Sequence, residues 1–239
     1  MLLSGKKAAQ VVLGVLKNKK RWGKIILNIP RTIYLYDERI RKIDFKQIKE
    51  FIRTNFGNIK ACVVKLKKEV VGTDGLLFDF IGTRRTFEAL KYSKDKNSYH
   101  IILTNKLFAT LGDDRRPHIR ASIYGFPSVI STAGIVEGPA KPKEFYLYKQ
   151  KYTQLGVWEV EEAKIKQKFK ARFIDYDDTR ITEVLKGYVA QGLFFYMKGE
   201  PFCQKRGCRL FNAHWQEDLI YSQIKSAKFC LKHKKLLKQ

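Results

Sequence analysis

No apolar run in this 239-residue chain reaches the roughly 18 residues that a bilayer-crossing helix needs, which excludes a helical membrane span within it. No glycine-rich phosphate loop and no Gly-x-Ser-x-Gly turn occurs, so phosphate cradling and serine-nucleophile chemistry lack their usual motifs. Cysteine and histidine are scarce, with four of each. That scarcity excludes a disulfide-held secreted scaffold and makes a reducing cytoplasm the expected location. Ala8 to Leu16, behind Lys6 and Lys7, has the outline of a leader, but Lys17 to Arg21 follow it and no small-residue cleavage site does. Acid is also scarce: 23 Asp and Glu stand against 48 Lys and Arg, a formal net charge of +25.

What is present suits a packed domain. Hydrophobic residues make up 44% and aromatic residues 13%, too rich for a disordered chain. The excess charge collects at the ends. Residues 1–36 carry basic side chains at 6, 7, 17, 19, 20, 21, 24 and 31 and no acid, and residues 225–239 carry lysines and no acid. Basic ends on a less basic body suggest contact with nucleic acid through the termini. A lysine-rich proteome would leave the same surface, and no base-reading motif accompanies the charge.

Residues 1–30 read as a basic N-terminal arm, with Ala8, Val11, Val12, Val15 and Leu16 at helical spacing and Pro30 ending it. Residues 31–155 alternate between α and β. Strands are expected at 32–36, 59–66, 99–104, 119–124 and 128–135. Helices are expected from Phe45 to a stop at Gly57 and over 84–92, with a loop at 138–142. Residues 156–239 read as a helical subdomain. A charged helix spans 157–169, and Asp175 to Thr179 opens a long helix whose apolar series runs Ile181, Val184, Leu185, Tyr188, Val189, Gly192, Phe195 and Tyr196. Gly199 and Pro201 stop it, and a last helix is expected over 212–226.

Three of the four cysteines gather behind that long helix as Cys203-x4-Cys208, then Cys230-x2-His233. Two close pairs of soft ligands across a helix-length spacer can close a tetrahedral Cys3His shell around one Zn2+. Four protein ligands leave no open position, so the shell reads as structural. Gly207 can supply an unusual dihedral, and Lys205, Arg206, Arg209, Lys232 and Lys234 would favour thiolates. A Cys203–Cys208 disulfide and unconnected buried thiols are the alternatives; Cys62, in the run 61–64, reads as a core residue.

Other candidates are weaker. His100, His118 and His214 are scattered and read as structural or exposed. Asp175, Asp177 and Asp178 could hold a cation but more simply cap the long helix. Arg115, Arg116 and His118 beside Asp113 and Asp114 form a solvated turn or an anion-contacting loop, and His214 or Glu217 could support the zinc ligands.

From Gly199 onward the chain resembles the archaemetzincins, zinc metallopeptidases with the pattern HExxHxxGxxHCx4CxMx17CxxC. Gly199 matches the family glycine, and Cys203 and Cys208 match the first cysteine pair at the same spacing. Leu210 stands for the Met. Cys230 and His233 match the last pair, with His for the final Cys and a spacer two residues longer. Residues 101–108, 122–126 and 128–131 resemble its strand region. The resemblance implies an α+β, zincin-like (metzincin-type) mixed sheet with helices, a C-terminal helical zinc module and an archaeal origin. In that register the catalytic histidines fall on Gly192, Tyr196 and Phe202, and the general-base Glu falls on Leu193. Gly, Tyr and Phe cannot hold Zn2+ as neutral imidazoles do, and Leu cannot take a proton from metal-bound water. The resemblance therefore implies a catalytically inactive homologue, a pseudoenzyme with one structural zinc that acts through a protein partner. A nucleic-acid-binding protein and an active metallopeptidase with atypical ligands are the alternatives.

Overall fold

The computed structural model describes residues 28–57, 59–95 and 97–237. The basic arm expected at 1–30 lies outside them except for its last three residues.

Period-two burial builds the main sheet. In β1 (Thr32–Glu38), Ile33 and Leu35 face one side, and Tyr36 faces the other. β1 pairs in parallel with β2 (Lys60–Lys65) and with β5 (Ser98–Thr104), placing Leu35 opposite both Val63 and Ile101. β5 pairs in parallel with β9 (Ser128–Ser131), and β8 (Ser122–Ile123) closes the edge antiparallel, for an order β2-β1-β5-β9-β8. α1 (Phe45–Phe56) makes the crossover from β1 to β2. The Asp44 side chain accepts from the Lys46 and Gln47 N–H groups at its start, and Gly57 at φ 66° ends it.

A second sheet, β3 (Gly72–Asp74), β4 (Leu77–Asp79), β6 (Ala109–Leu111) and β7 (Pro117–Ile119), runs in that order and is also mixed. With α2 (Phe80–Glu88) it covers one face of the main sheet, burying Tyr36, Phe87, Ile102 and Phe108 together. The other face carries α1 and the long helix α6 (Ile181–Lys198), packed on Ile33, Leu35, Tyr99, Ile101 and Ile130. α6 is buried on nearly every side, Gly187, Gln191 and Gly192 included, so it is an interior helix rather than an amphipathic one. Gly199 at φ 76° ends it, its N–H donating to Phe195 O at 2.7 Å. Phe145, Ile165, Phe169 and Phe173 form a satellite core between α4 (Lys143–Gln154) and α5 (Trp158–Phe169). The architecture is thus α+β with mixed sheets and a helical C-terminal part, as the resemblance implied. No described helix is long and apolar enough to cross a membrane.

Several elements differ from expectation for identifiable reasons. The strand expected at 119–124 is two short pieces in different sheets, β7 and β8. The strand expected at 128–135 stops at Ser131, whose side chain accepts from Gly134 N–H and starts α3 (Thr132–Glu137). Gly134 is required there, since a Cβ would overlap Arg120 O. α2 begins four residues before expectation because Asp79 caps it, its side chain accepting from Gly82 N–H. α4 begins directly after Pro142, the end of the expected loop, in a stretch for which no element was expected. The helix expected over 212–226 starts later: α7 (Gln216–Ile220) passes into a π-helical turn over Tyr221–Ser226, where Ala227 N–H reaches Ser222 O at 3.2 Å.

Candidate metal centre

Behind α6 the chain turns back on itself and forms a knuckle. Cys203 N–H donates to Leu210 O at 2.7 Å, Cys208 N–H to Lys205 O at 2.9 Å and Phe211 N–H to Cys208 O at 2.9 Å. Cys208 bridges to Lys228, and Arg209 N–H donates to Lys228 O at 2.9 Å, so the knuckle is tied to the segment that leads into α8 (Leu231–Leu237). Cys230 precedes α8 and His233 sits in its first turn. Gly207 uses no positive φ, contrary to expectation; its carbonyl accepts from Ser226 Oγ at 2.5 Å.

Cys203 Sγ and Cys230 Sγ are 3.9 Å apart, Cys208 Sγ and His233 Nδ1 3.6 Å, and Cys230 Sγ and His233 Nδ1 3.1 Å. All four donor atoms lie within 4.8 Å of one another. Bond lengths of ~2.3 Å to sulfur and ~2.0 Å to nitrogen give a tetrahedral shell edges of about 3.8 Å between sulfurs and 3.5 Å between sulfur and nitrogen. The closest separations, 3.1–3.9 Å with every pair within 4.8 Å, bracket those edges, and three soft donors with an imidazole suit Zn2+. Cys208 and His233 are buried, while Cys203 and Cys230 are partly covered. The His233 ring stands edge-on to Phe194 of α6, centroids 5.2 Å apart, which ties the site to the interior helix.

The electrostatics agree with a cation site. Burial pushes the Cys208 thiol up to about 12, so without a cation it holds its proton. Burial, then Lys232 and Lys198, lowers the His233 pKa and keeps the imidazole neutral, the form that ligates. The Lys205 N–H points at Cys203 Sγ at 3.4 Å and the Cys230 N–H at Cys208 Sγ at 3.5 Å, both favouring thiolate. The two arginines of the expected basic collar serve the frame instead. Arg206 pairs with Asp218 at 2.5 Å and lies over the Tyr221 ring, and the buried Arg209 pairs with Glu183 of α6 and donates to Ala227 O. All four cysteines are free thiols, so the Cys203–Cys208 disulfide does not form, and Cys62 is half-buried on edge strand β2 rather than in the core.

The positions aligned with catalytic residues lie on the last turns of α6 and just beyond. Gly192 is buried; a Cβ there would stand 2.9 Å from Tyr99 Oη and 3.3 Å from Ile101 Cδ1. Leu193 is fully buried in the main core. Tyr196 packs on Tyr99, with centroids 5.1 Å apart. Phe202 is 43% exposed, edge-on to Tyr124, and lies at the surface rather than filling an interior space. Among the described residues, the Cys3His cluster is the one group of three or more His, Cys, Asp and Glu side chains that could hold an ion.

The remaining candidates are accounted for by local partners. His100 is buried, bonded to Tyr36 Oη at 3.1 Å and stacked on Tyr34. His118 pairs with Asp114 at 2.9 Å on the exposed β6–β7 turn, where Arg115 has φ 60°. Asp175, Asp177 and Asp178 each take a separate cation, Lys166, Lys42 and Arg180, and the long helix starts only at Ile181, so they do not cap it. His214 is exposed beside Asn212, and Glu217 pairs with Arg172 at 2.8 Å. Sequence reasoning passed over their neighbour Gln216. It is wholly buried, accepts from Ile174 N–H at 3.0 Å and donates to Ile135 O and Val136 O. Nothing in a single sequence marks it except a polar residue at the start of an apolar turn.

Residues 37–239 match the family described as "Probable metallopeptidase family (DUF6775)". No curated protein sequence matches the chain. Archaemetzincin from Methanopyrus kandleri has a similar structure, with a TM-score of 0.52 at 13% identity over 92% of this chain and 97% of that one. A zinc-dependent peptidase from Methanocorpusculum labreanum (strain Z) gives a TM-score of 0.50 at 12% identity over 86% and 99%. At these identities the likeness shows the fold.

Proposed function

The chain belongs to this metallopeptidase family, archaemetzincin-like in fold, and on that premise we propose that it is a catalytically silent member whose single zinc is structural. The observation that carries the proposal is the contrast between two places. One has four zinc-type donors converging with no position left for water. The other presents Gly192, Leu193, Tyr196 and Phe202, which offer no imidazole and no carboxylate. A metallopeptidase needs a metal with an open site and a base for the attacking water. The Cys3His zinc would pin Cys230 and α8 to the knuckle after α6 and hold the helical subdomain, residues 156–239, together. The protein would then act by contact with a protein partner in a reducing cytoplasm.

Metal analysis of protein purified without added zinc tests this. One zinc per chain is expected, lost in Cys203→Ser and Cys208→Ser. A second, exchangeable zinc accompanied by chelator-sensitive peptide cleavage overturns the silent reading and supports atypical ligands.

A second reading, nucleic-acid contact through the basic ends, is favoured by Lys232, Lys234 and Lys235, all exposed on α8. Retention on DNA or RNA that falls with salt and is abolished by deleting residues 1–24 supports it, and no binding at low salt removes it.

A further inference from the structure

A small cleft at the carboxyl edge of the main sheet has no part in the metal centre. β1 lies between β2 and β5. The chain leaving β1 crosses to β2 on one side, and the chain leaving β5 passes through β6 and β7 of the second sheet and rejoins the main sheet at β8 and β9 on the other. The two carboxyl ends diverge, and such a switch point in a parallel sheet opens the crevice in which ligands are generally held. Here it is lined by Glu38, Arg39 and Arg41 at the end of β1, by Asn105 and Lys106 at the end of β5, and by Glu69, with a volume of about 260 Å³.

Glu38 is the informative residue. It is 4% exposed. Its Oε1 accepts from Val70 N–H at 2.5 Å and Val71 N–H at 2.8 Å, whereas Oε2 is buried with no partner. A buried carboxylate oxygen without a donor destabilises the fold until a donor arrives. The nearby cations are committed elsewhere. Lys106 Nζ donates to Val71 O at 2.7 Å and pairs with Glu69 at 2.6 Å, and Arg39 Nη2 donates to Lys67 O at 2.6 Å. Arg41 is exposed and makes no hydrogen bond or ion pair to any described residue. The walls are fixed in place: Ser131 Oγ donates to Lys106 O at 2.5 Å, and Lys106 N–H donates to Thr104 Oγ1 at 3.1 Å. The loop after β1 holds Arg39 and Lys42 at φ 58° and 55°, a conformation costly for such residues and one that clusters at binding sites.

We propose that this cleft binds a small organic anion that also carries a hydroxyl or ammonium donor. The donor meets Glu38 Oε2, and the anionic group meets Arg41. A metal cation does not suit the cleft, because Arg39, Arg41 and Lys106 outnumber the two carboxylates.

Calorimetric titration of the full chain with four probes tests the assignment. Glycerol 3-phosphate combines an anion with hydroxyl donors and alanine combines an anion with an ammonium donor, inorganic sulfate is the anion alone, and glycerol is the donor alone. At least one combined probe should bind about tenfold more tightly than either partial probe. Which one does so identifies the donor as hydroxyl or ammonium. Glu38→Gln keeps an acceptor for Val70 and Val71 but puts N–H groups where Oε2 stands, so the advantage of the combined probe should vanish. Arg41→Ala, at a residue without partners among the described residues, should weaken the combined probe and sulfate alike with an unchanged melting temperature. Absence of binding by every probe at millimolar concentration overturns the proposal. So does a preference that survives Glu38→Gln; in either case Glu38 serves only to clamp Val70 and Val71.

Discussion

Gly192 offers a direct test of how tightly the region aligned with the peptidase centre is packed. Replacing a buried helical glycine by alanine ordinarily gains about 1 kcal/mol of helix propensity. Here the added methyl would stand 2.9 Å from Tyr99 Oη and 3.3 Å from both Tyr99 Cε1 and Ile101 Cδ1. Tyr99 cannot swing aside freely, since it is fully buried and bonded to Ser128 Oγ at 2.5 Å. Overpacking of this kind costs about 1–3 kcal/mol, which cancels the propensity gain at its low end and exceeds it at its high end, so Gly192→Ala should be net destabilising by up to about 2 kcal/mol. For a chain of this size that lowers the melting temperature by up to about 8 °C. Tyr99→Phe alone should cost about 1 kcal/mol for the lost hydrogen bond, because Ser128 Oγ keeps its bonds to Gly125. In the double variant the methyl occupies the space of the missing hydroxyl, and the two effects should fall short of their sum by about 1 kcal/mol. Urea midpoints for the four proteins, at constant m, supply the cycle. A stabilising Gly192→Ala, or a strictly additive pair, refutes the packing argument and leaves room at position 192 for a larger side chain.

Gly187→Ala should be worse still, by about 2 kcal/mol or more, because its Cβ would overlap the Gln223 side chain, which donates to Arg209 O at 2.9 Å; zinc retention should weaken with the melting temperature. Gln216→Leu should cost about 2–4 kcal/mol in urea unfolding by leaving Ile174 N–H and two carbonyls unpartnered, whereas His214→Ala beside it should be near neutral. Burial raises the Asp178 carboxyl, but the Arg180 side chain and N–H outweigh it, so its pKa is depressed in the fold. Its contribution is full above the unfolded value near 3.9 and is lost as pH falls through the folded value; Asp178→Asn should flatten part of the acid limb below about pH 4.

Residues that carry their own signal were legible in the sequence. Ile33 and Leu35 in alternation, the Gly57 and Gly199 stops, and the Cys203, Cys208, Cys230 and His233 spacing all depend on local geometry, and the structure brings the four metal donors together. What escaped depends on tertiary partners. Ile119 to Tyr124 reads as one strand, yet its halves join different sheets. Thr132 to Ile135 looks extended until Ser131 caps it and Gly134 meets Arg120 O. Asp175 to Asp178 looks like a helix cap, but each acid is drawn to a separate cation. Glu38 and Gln216 look like ordinary polar residues, and only burial singles them out.

The π-helical turn at Tyr221–Ser226 bears on how the distance between the two ligand pairs can vary along the chain. A π turn holds about one residue more than an α turn in the same axial length. Gln223, wedged against Gly187, and Ala227 at φ 50° fix where that extra length is stored. The turn acts as slack in a tether anchored at both ends. Removing one residue within 221–226 would tighten it to an α turn while Cys208 and Cys230 stay in place, so spacer length is free to drift as long as the ligand pairs do not.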